Sequence, residues 1–180
     1  DSVAFLKERV VDDIADRLLA TGRTFETGLC LGALTADSDP TLSGRIETLV
    51  ETDIANTAGR GHLPVIADEE WLPFAEDSFD LVISPLTLHW VNDLPGSLIQ
   101  ITKVLRPDGY FVGAMLGGAT LTELRQCLLQ AETELTGGAI MRVSPFADAL
   151  DMSQLLQRAG FALPVSDRDR LTIRYDTLFG

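Results

Sequence analysis

Apolar residues recur along the chain in two rhythms. In "VAFLKERVVDDIADRLLATG", Phe5, Leu6, Val10, Ile14, Leu18 and Leu19 fall near the helical period, and Gly22 follows as a C-cap. That spacing predicts an amphipathic helix. The next segments, "TGLCLGA" and "RIETLVETDIA", are short and rich in apolar and β-branched residues, the pattern of strands, with turn-rich "TADSDPTLSG" between them. The crossover they leave is unusually short. "HLPVIADEEWLPFAEDSFDLVISPLTLHWV" supplies two further strands, "LPVIA" and "FDLVISP", separated by a loop with Pro73 and a turn-like "AEDS".

"LPGSLIQITKVLRPDGYFVGAML" reads as a helix ended by "RPDG", then a buried strand from Tyr110 to Met115. "GGATLTELRQCLLQAETELTGG" opens with a capping box, Thr120 to Glu123, and closes on Gly137 and Gly138 around a further helix. A last helix, "DMSQLLQRAG", precedes "FALPVSDRDRLTIRY", which reads as a long bent strand or a hairpin. Alternating helices and buried strands predict an α/β fold, a mostly parallel sheet with helices on both faces. Leu31, Val50, Ile66, Leu81, Val82, Ile83, Phe111 and Val112 are its expected buried positions. There is no internal repeat, low-complexity tract or interdomain linker, so residues 1–180 are expected to form one domain.

Composition changes this picture only in places. With 180 residues and 46% hydrophobic residues, the chain can bury a substantial core. Fourteen basic against 27 acidic residues give a net charge of −13, which repels phosphate backbones and anionic membrane surfaces and argues against nucleic acid as a partner. Cys30 and Cys127 lie in apolar stretches without metal-type spacing and are expected as buried, reduced thiols, which fits an intracellular compartment. No apolar run reaches the roughly 18–20 residues that span a bilayer. The chain starts at Asp1 rather than Met, and "DSVAFLKERVVDD" is no secretory signal.

In an open α/β sheet, ligands bind outside the carboxyl ends of the strands, near the point where strand order reverses. Asp53, ending the second strand, is placed to accept two hydrogen bonds from a ribose diol, or is simply a solvated strand-end acid. Asp68, after the third strand, can accept from an adenine amine. His89 follows a strand on the ligand side and is either a general base or part of a helix whose aromatic, Trp90, packs under the sheet edge. Gly117 and Gly118 lack the Lys and GK[ST] of a phosphate loop, so a turn before a helix explains them.

The block "ADEEWLPFAEDSFDLVISPLTLHWVNDLPGSLIQITKVLRPDGYFVGAM" resembles the centre of class I S-adenosylmethionine-dependent methyltransferases, with an acid before "LPF", the "FDLV" strand and the "LRPDG" turn. Within that class, "LHWVNDLPGSLIQI", "GGATLTELR" and "SPFADALDMSQLLQRAGF" resemble the methyltransferase-like assembly factors of mitochondrial respiratory complex I and their bacterial relatives. More distantly, the block is similar to the malonyl-carrier-protein O-methyltransferases of biotin synthesis. The likeness runs from "FLKERV" through "DRDRLTIRY". It implies a Rossmann-like, seven-stranded sheet with S-adenosylmethionine across the strand ends. Family members continue to a final antiparallel strand, and the chain stops at Gly180, so the expected sheet lacks that strand or has lost it. The resemblance implies that Asp53 holds the ribose hydroxyls and Asp68 the adenine amine, with Ile54 and Glu69 beside them. It places Gly32 at the turn and Ser84 on the methionine side.

The family's first motif is an acid, one spacer, then Gly-x-Gly-x-Gly. "LCLGALTA" keeps only Gly32, with Cys30 in the acid's place and Leu34 and Ala36 at the other glycines. Cys30 supplies no carboxylate for the cofactor's ammonium group, and Leu34 is expected to fill the space of the methionine moiety, so cofactor binding is expected to be weakened or lost. The resemblance implies a methyltransferase-like protein whose acceptor, small molecule or protein, is not named by the sequence. Two alternatives stay open: a non-catalytic binding or assembly module, and an S-adenosylmethionine-dependent protein arginine hydroxylase supporting complex I assembly. The compartment implied is the cytoplasm, or the mitochondrial matrix in a eukaryote.

Overall fold

The computed structural model describes residues 5–34, 42, 44–55 and 63–174. Five strands form one sheet: β1 (Phe25–Leu31), β2 (Ile46–Asp53), β3 (Leu63–Ile66), β4 (Phe79–Pro85) and β5 (Leu105–Ala114). Their order is β3-β2-β1-β4-β5 and every described pairing is parallel. The chain steps outward from β1 to β3, then returns to the other side of β1 for β4 and β5. The switch point therefore lies between the carboxyl ends of β1 and β4, where this topology places ligands.

Four described helices accompany the sheet: α1 (Phe5–Ala20), α2 (Leu94–Val104), α3 (Thr122–Thr136) and α4 (Ala149–Arg158). The strand period of two divides the central residues between the two faces. Cys30, Leu81 and Ile83 pack with Val11, Ile14 and Leu18 of α1. Leu29, Leu31 and Val82 turn the other way, against Leu98, Ile101 and Val104 of α2 and Leu156 of α4. Double-sided burial explains why "DLVISP" reads as a continuous apolar run.

Several expectations need correction. In α1 the buried stripe is Val11, Ile14 and Leu18, whereas Phe5 and Leu19 are exposed, because the stripe at i, i+3 and i+7 faces the sheet. Gly22 does close that helix with φ +68°. Ile66 is 64% exposed, since β3 is a short edge strand with no described element packed over it. Val50 and Phe111 are only half-buried, and Leu31, Leu81, Val82, Ile83 and Val112 are buried as expected. The last strand pairs Leu105 with Phe79 and next Tyr110 with Leu81, so residues 106–109 leave the ladder as a bulge and Asp108 takes φ +64°. Regular pairing resumes at Tyr110, where the strand was expected, and ends at Ala114 rather than Met115.

Thr120 caps nothing. Its amide closes a turn on the Gly117 carbonyl, and α3 starts after Leu121, which has φ +55° and no side-chain cap. Gly137 ends that helix with φ +71°. The capping box belongs to α4, where Asp148 accepts from the amides of Leu150 and Asp151 and the Asp151 side chain reaches back to the Asp148 amide. Residues 161–174 form no strand or hairpin. They carry no regular structure and are tied to α1 by Arg17 with Asp167 at 3.0 Å and Arg9 with Asp169 at 3.4 Å. Cys30 is buried, but Cys127 on α3 is exposed because that helix buries no residue. Most of "TADSDPTLSG", Ala36 included, lies outside the described residues.

Candidate functional site

The carboxyl ends of β1, β2, β3 and β4 meet around the turn that follows β1. Gly32 sits there with φ +82°, a conformation L side chains rarely adopt. A Cβ on it would lie 2.4 Å from Cγ2 of Thr87, so the turn after β1 and the loop after β4 touch at the switch point. Thr87 is fixed in turn by Ser84, whose fully buried hydroxyl meets Thr87 Oγ1 at 2.7 Å.

Side chains from three elements hold this turn. Asp53, at the end of β2, accepts from the Ala33 amide at 3.3 Å and from the Ala55 amide at 2.9 Å. Glu51, two residues earlier on the same face of β2, accepts from the Leu34 amide at 3.2 Å. From α1, Lys7 donates to the Ala33 carbonyl. The Leu34 side chain is 2% exposed and packs with Val11, Ile14, Leu18 and Leu42. It is drawn into the core under α1, so the expectation that it fills the methionine space is corrected: the leucine supports the turn from below.

Next along the edge, Asp68 lies just beyond β3. It caps its own turn, accepting from the Glu70 amide at 2.9 Å, while its carbonyl accepts from the Trp71 amide. Glu69 is half-buried, and burial raises its carboxyl above the usual range, with further upward pushes from Asp68, Asp53 and Glu70. Asp53, Asp68 and Glu69 therefore share one acidic rim at the carboxyl ends of adjacent strands. Ile54 is 72% exposed beside them, a bare apolar surface next to hydrogen-bond acceptors. The Asp68 turn is anchored from behind, since Glu70 accepts from the Asn92 side-chain amide at 3.1 Å and Gln100 of α2 accepts from the Leu72 amide at 2.9 Å.

Cys30 is wholly buried with its thiol toward the Gly32 carbonyl at 3.3 Å. Burial holds the thiol far above the ordinary cysteine range, Lys7 pulls it down slightly and Glu51 pushes it up, so it stays protonated. His89 lies in a turn beyond β4, its Nδ1 buried with no partner among the described residues, its ring edge-on to Phe146 at 5.9 Å. Burial lowers its pKa, which keeps the imidazole neutral at pH 7. Trp90 is exposed rather than packed under the sheet edge. Sequence reasoning missed Lys7, Glu51 and Thr87. Only Glu51 left a signal, a charge beside the apolar pair Leu49 and Val50 in the middle of a strand.

The order 3-2-1-4-5, the switch-point turn and the acidic rim define a domain of the class I S-adenosylmethionine-dependent methyltransferase type. A methyltransferase domain family profile matches residues 31–113. The chain is 45% identical over 186 residues to the mitochondrial arginine-hydroxylase NDUFAF5 of Mus musculus, covering 97% of this chain and 53% of that protein. It is 35% identical to the malonyl-[acyl-carrier protein] O-methyltransferase of Laribacter hongkongensis, covering 98% of this chain and 64% of the relative. The solved N-methyltransferase NodS of Bradyrhizobium japonicum, in complex with S-adenosyl-L-homocysteine, superposes with a TM-score of 0.56 at 21% identity over 66% of each chain. The chain thus has the class I methyltransferase fold and a methyltransferase-domain match, is similar to the NDUFAF5 proteins, and spans about half the length of those relatives. Among the described residues, no helix is long and apolar enough to cross a membrane and no cluster of side chains could hold a metal ion.

Proposed function

We propose that this chain binds S-adenosylmethionine at the carboxyl ends of β1 to β4 and serves as a methyltransferase-like domain. The observation that carries the reading is the acidic rim. Asp53 ends β2, Asp68 lies just beyond its parallel neighbour β3, and both act on Glu69. A carboxylate has about four lone-pair sites, and Asp53 uses two of them on backbone amides, which leaves capacity for a ribose diol. Asp68 keeps one oxygen for the adenine amine, Glu69 flanks it, and exposed Ile54 offers the adenine ring an apolar surface. The Gly32 turn brings backbone close to the ligand, and Ser84 acts on the methionine side by holding Thr87.

When bound, S-adenosylmethionine supplies an electrophilic methyl group. The chain's own part is to orient the nucleoside, keep the turn after β1 rigid and hold neutral His89 near the β4 loop. Titration calorimetry with S-adenosylmethionine and S-adenosylhomocysteine tests the binding. No heat with either, from protein shown to be folded, overturns the reading. A second activity, hydroxylation of a protein arginine, is favoured by the 45% identity to NDUFAF5 over nearly the whole chain. Mass spectrometry of an arginine peptide incubated with protein, cofactor, dioxygen and a reductant separates the two, since methyl transfer adds the cofactor's methyl group, whereas hydroxylation adds one oxygen atom from dioxygen, the other leaving as water. The same kinship, to mitochondrial proteins, favours a mitochondrial location in a eukaryote, with the cytoplasm as the alternative elsewhere.

A further inference from the structure

Glu51 is 2% exposed, and its carboxylate is only half used. Oε1 accepts from the Leu34 amide, whereas Oε2 is buried with no hydrogen-bond partner among the described residues. No described cation pairs with it. Lys7 Nζ, which acts on the same Cys30 thiol as Glu51, donates to the Ala33 carbonyl. Leaving a buried polar oxygen unpaired costs more than a hydrogen bond normally returns, so such a group calls for an explanation, and a partner from outside the chain is one. The position of Glu51 says what kind of partner. It lies under the turn at the switch point, directly across the ladder from Cys30 and on the same face. Both act on one spot, since Glu51 contributes to the upward shift of the Cys30 thiol. A carboxylate absent from β1 is thus present one strand over, at the register-paired position.

We infer that Glu51 is the residue that binds the ammonium group at the amino-acid end of the ligand, in the place Cys30 leaves without charge. This rests on the cofactor reading above and deepens it. The displaced acid is compatible with the altered turn because Glu51 also braces the Leu34 amide. One side chain therefore shapes the turn and presents a free oxygen beside it.

The test compares two probes, S-adenosylmethionine and methylthioadenosine, which has the same nucleoside but no amino-acid end. Glu51→Gln keeps an acceptor for the Leu34 amide and removes the charge. Loss of one charge-assisted hydrogen bond should weaken S-adenosylmethionine roughly ten- to a hundredfold and leave methylthioadenosine within about twofold. Returning the acid to β1 in Cys30→Asp/Glu51→Gln should recover at least part of the loss. If Glu51→Gln weakens both probes equally, or lowers the Tm while the ratio of the two affinities holds, Glu51 is only a brace or turns onto Lys7, and the inference falls while the cofactor reading stands. If wild type binds neither probe, the cofactor reading itself fails and takes this inference with it.

Discussion

Gly32→Ala probes the point on which the whole strand-end arrangement converges. Two costs are separable. An L residue at φ +82° carries about 1–2 kcal/mol of backbone strain. The new methyl would also stand 2.4 Å from Cγ2 of Thr87, well inside contact distance, and relieving such overpacking costs about 1–3 kcal/mol. Together they predict a loss of about 3 kcal/mol, a fall of roughly 6–12 °C in Tm for a domain of this size. Thr87 has little room to yield, because its hydroxyl is tied to buried Ser84 at 2.7 Å. Thr87→Ser removes only Cγ2 and keeps that hydroxyl. In the double variant the steric part should vanish and the strain part remain, so Thr87→Ser should rescue about half of the Gly32→Ala loss while changing wild type little. Thermal and urea unfolding of the ligand-free protein measure all four corners of the cycle. Additive effects, with no rescue, would refute the contact between the two loops, and an unchanged Tm for Gly32→Ala would refute the turn geometry altogether.

Asp53→Asn should weaken S-adenosylmethionine roughly ten- to a hundredfold by calorimetry, since charge-assisted bonds to a diol total about 1.5–3 kcal/mol, and should lower the Tm as well, because its single amide oxygen can serve only one of the Ala33 and Ala55 amides; an unchanged Kd with cofactor bound would place the ribose elsewhere. A thiol reagent at pH 8 should label exposed Cys127 at once and buried Cys30 only after denaturation, and immediate double labelling would contradict the packing beneath the turn. Glu69 has a raised folded pKa, so the folded state binds the extra proton in the window just above the ordinary glutamate value and stability falls as pH rises through it. Glu69→Gln should therefore stabilise the protein at pH 7 and lose that advantage by about pH 4, below the unfolded pKa; a benefit that persists in acid would mean that charge is not its cause.

The sheet was legible because its central strands bury both faces. "FDLVISP" announces a doubly covered strand, and its bounds, Phe79 to Pro85, coincide with the observed β4. Elements that lean on one face, or on none, were harder to read. Ile66 carries the composition of a core residue but sits on a four-residue edge strand, and composition does not record a strand's place in the sheet order. Thr120 and Glu123 have the spacing of a capping box, yet the Gly117 turn and left-handed Leu121 delay the helix by one residue. The box that forms, at Asp148 and Asp151, differs in having an acid in both places. "LTIRY" alternates like a strand, and its described part, unpaired to any other strand, makes none.

At the site, the strand-end acids could be found because topology alone dictates where to look. The state of the turn could not, because it depends on partners distant in sequence. "LCLGALTA" shows three departures from the family's pattern, and read along the chain each is a loss. Read across the sheet, two of them are matched. Leu34 joins the core that α1 covers, and the charge missing at Cys30 reappears on its ladder partner Glu51. Parallel pairing makes this exchange possible, because register partners on adjacent strands point to the same face only a strand spacing of about 4.8 Å apart, within the reach of one longer side chain. A glutamate on β2 can thus place its carboxylate under the turn that an aspartate on β1 would serve. A degenerate motif on one strand is for that reason weak evidence of a lost site until its neighbours in the sheet have been read as well.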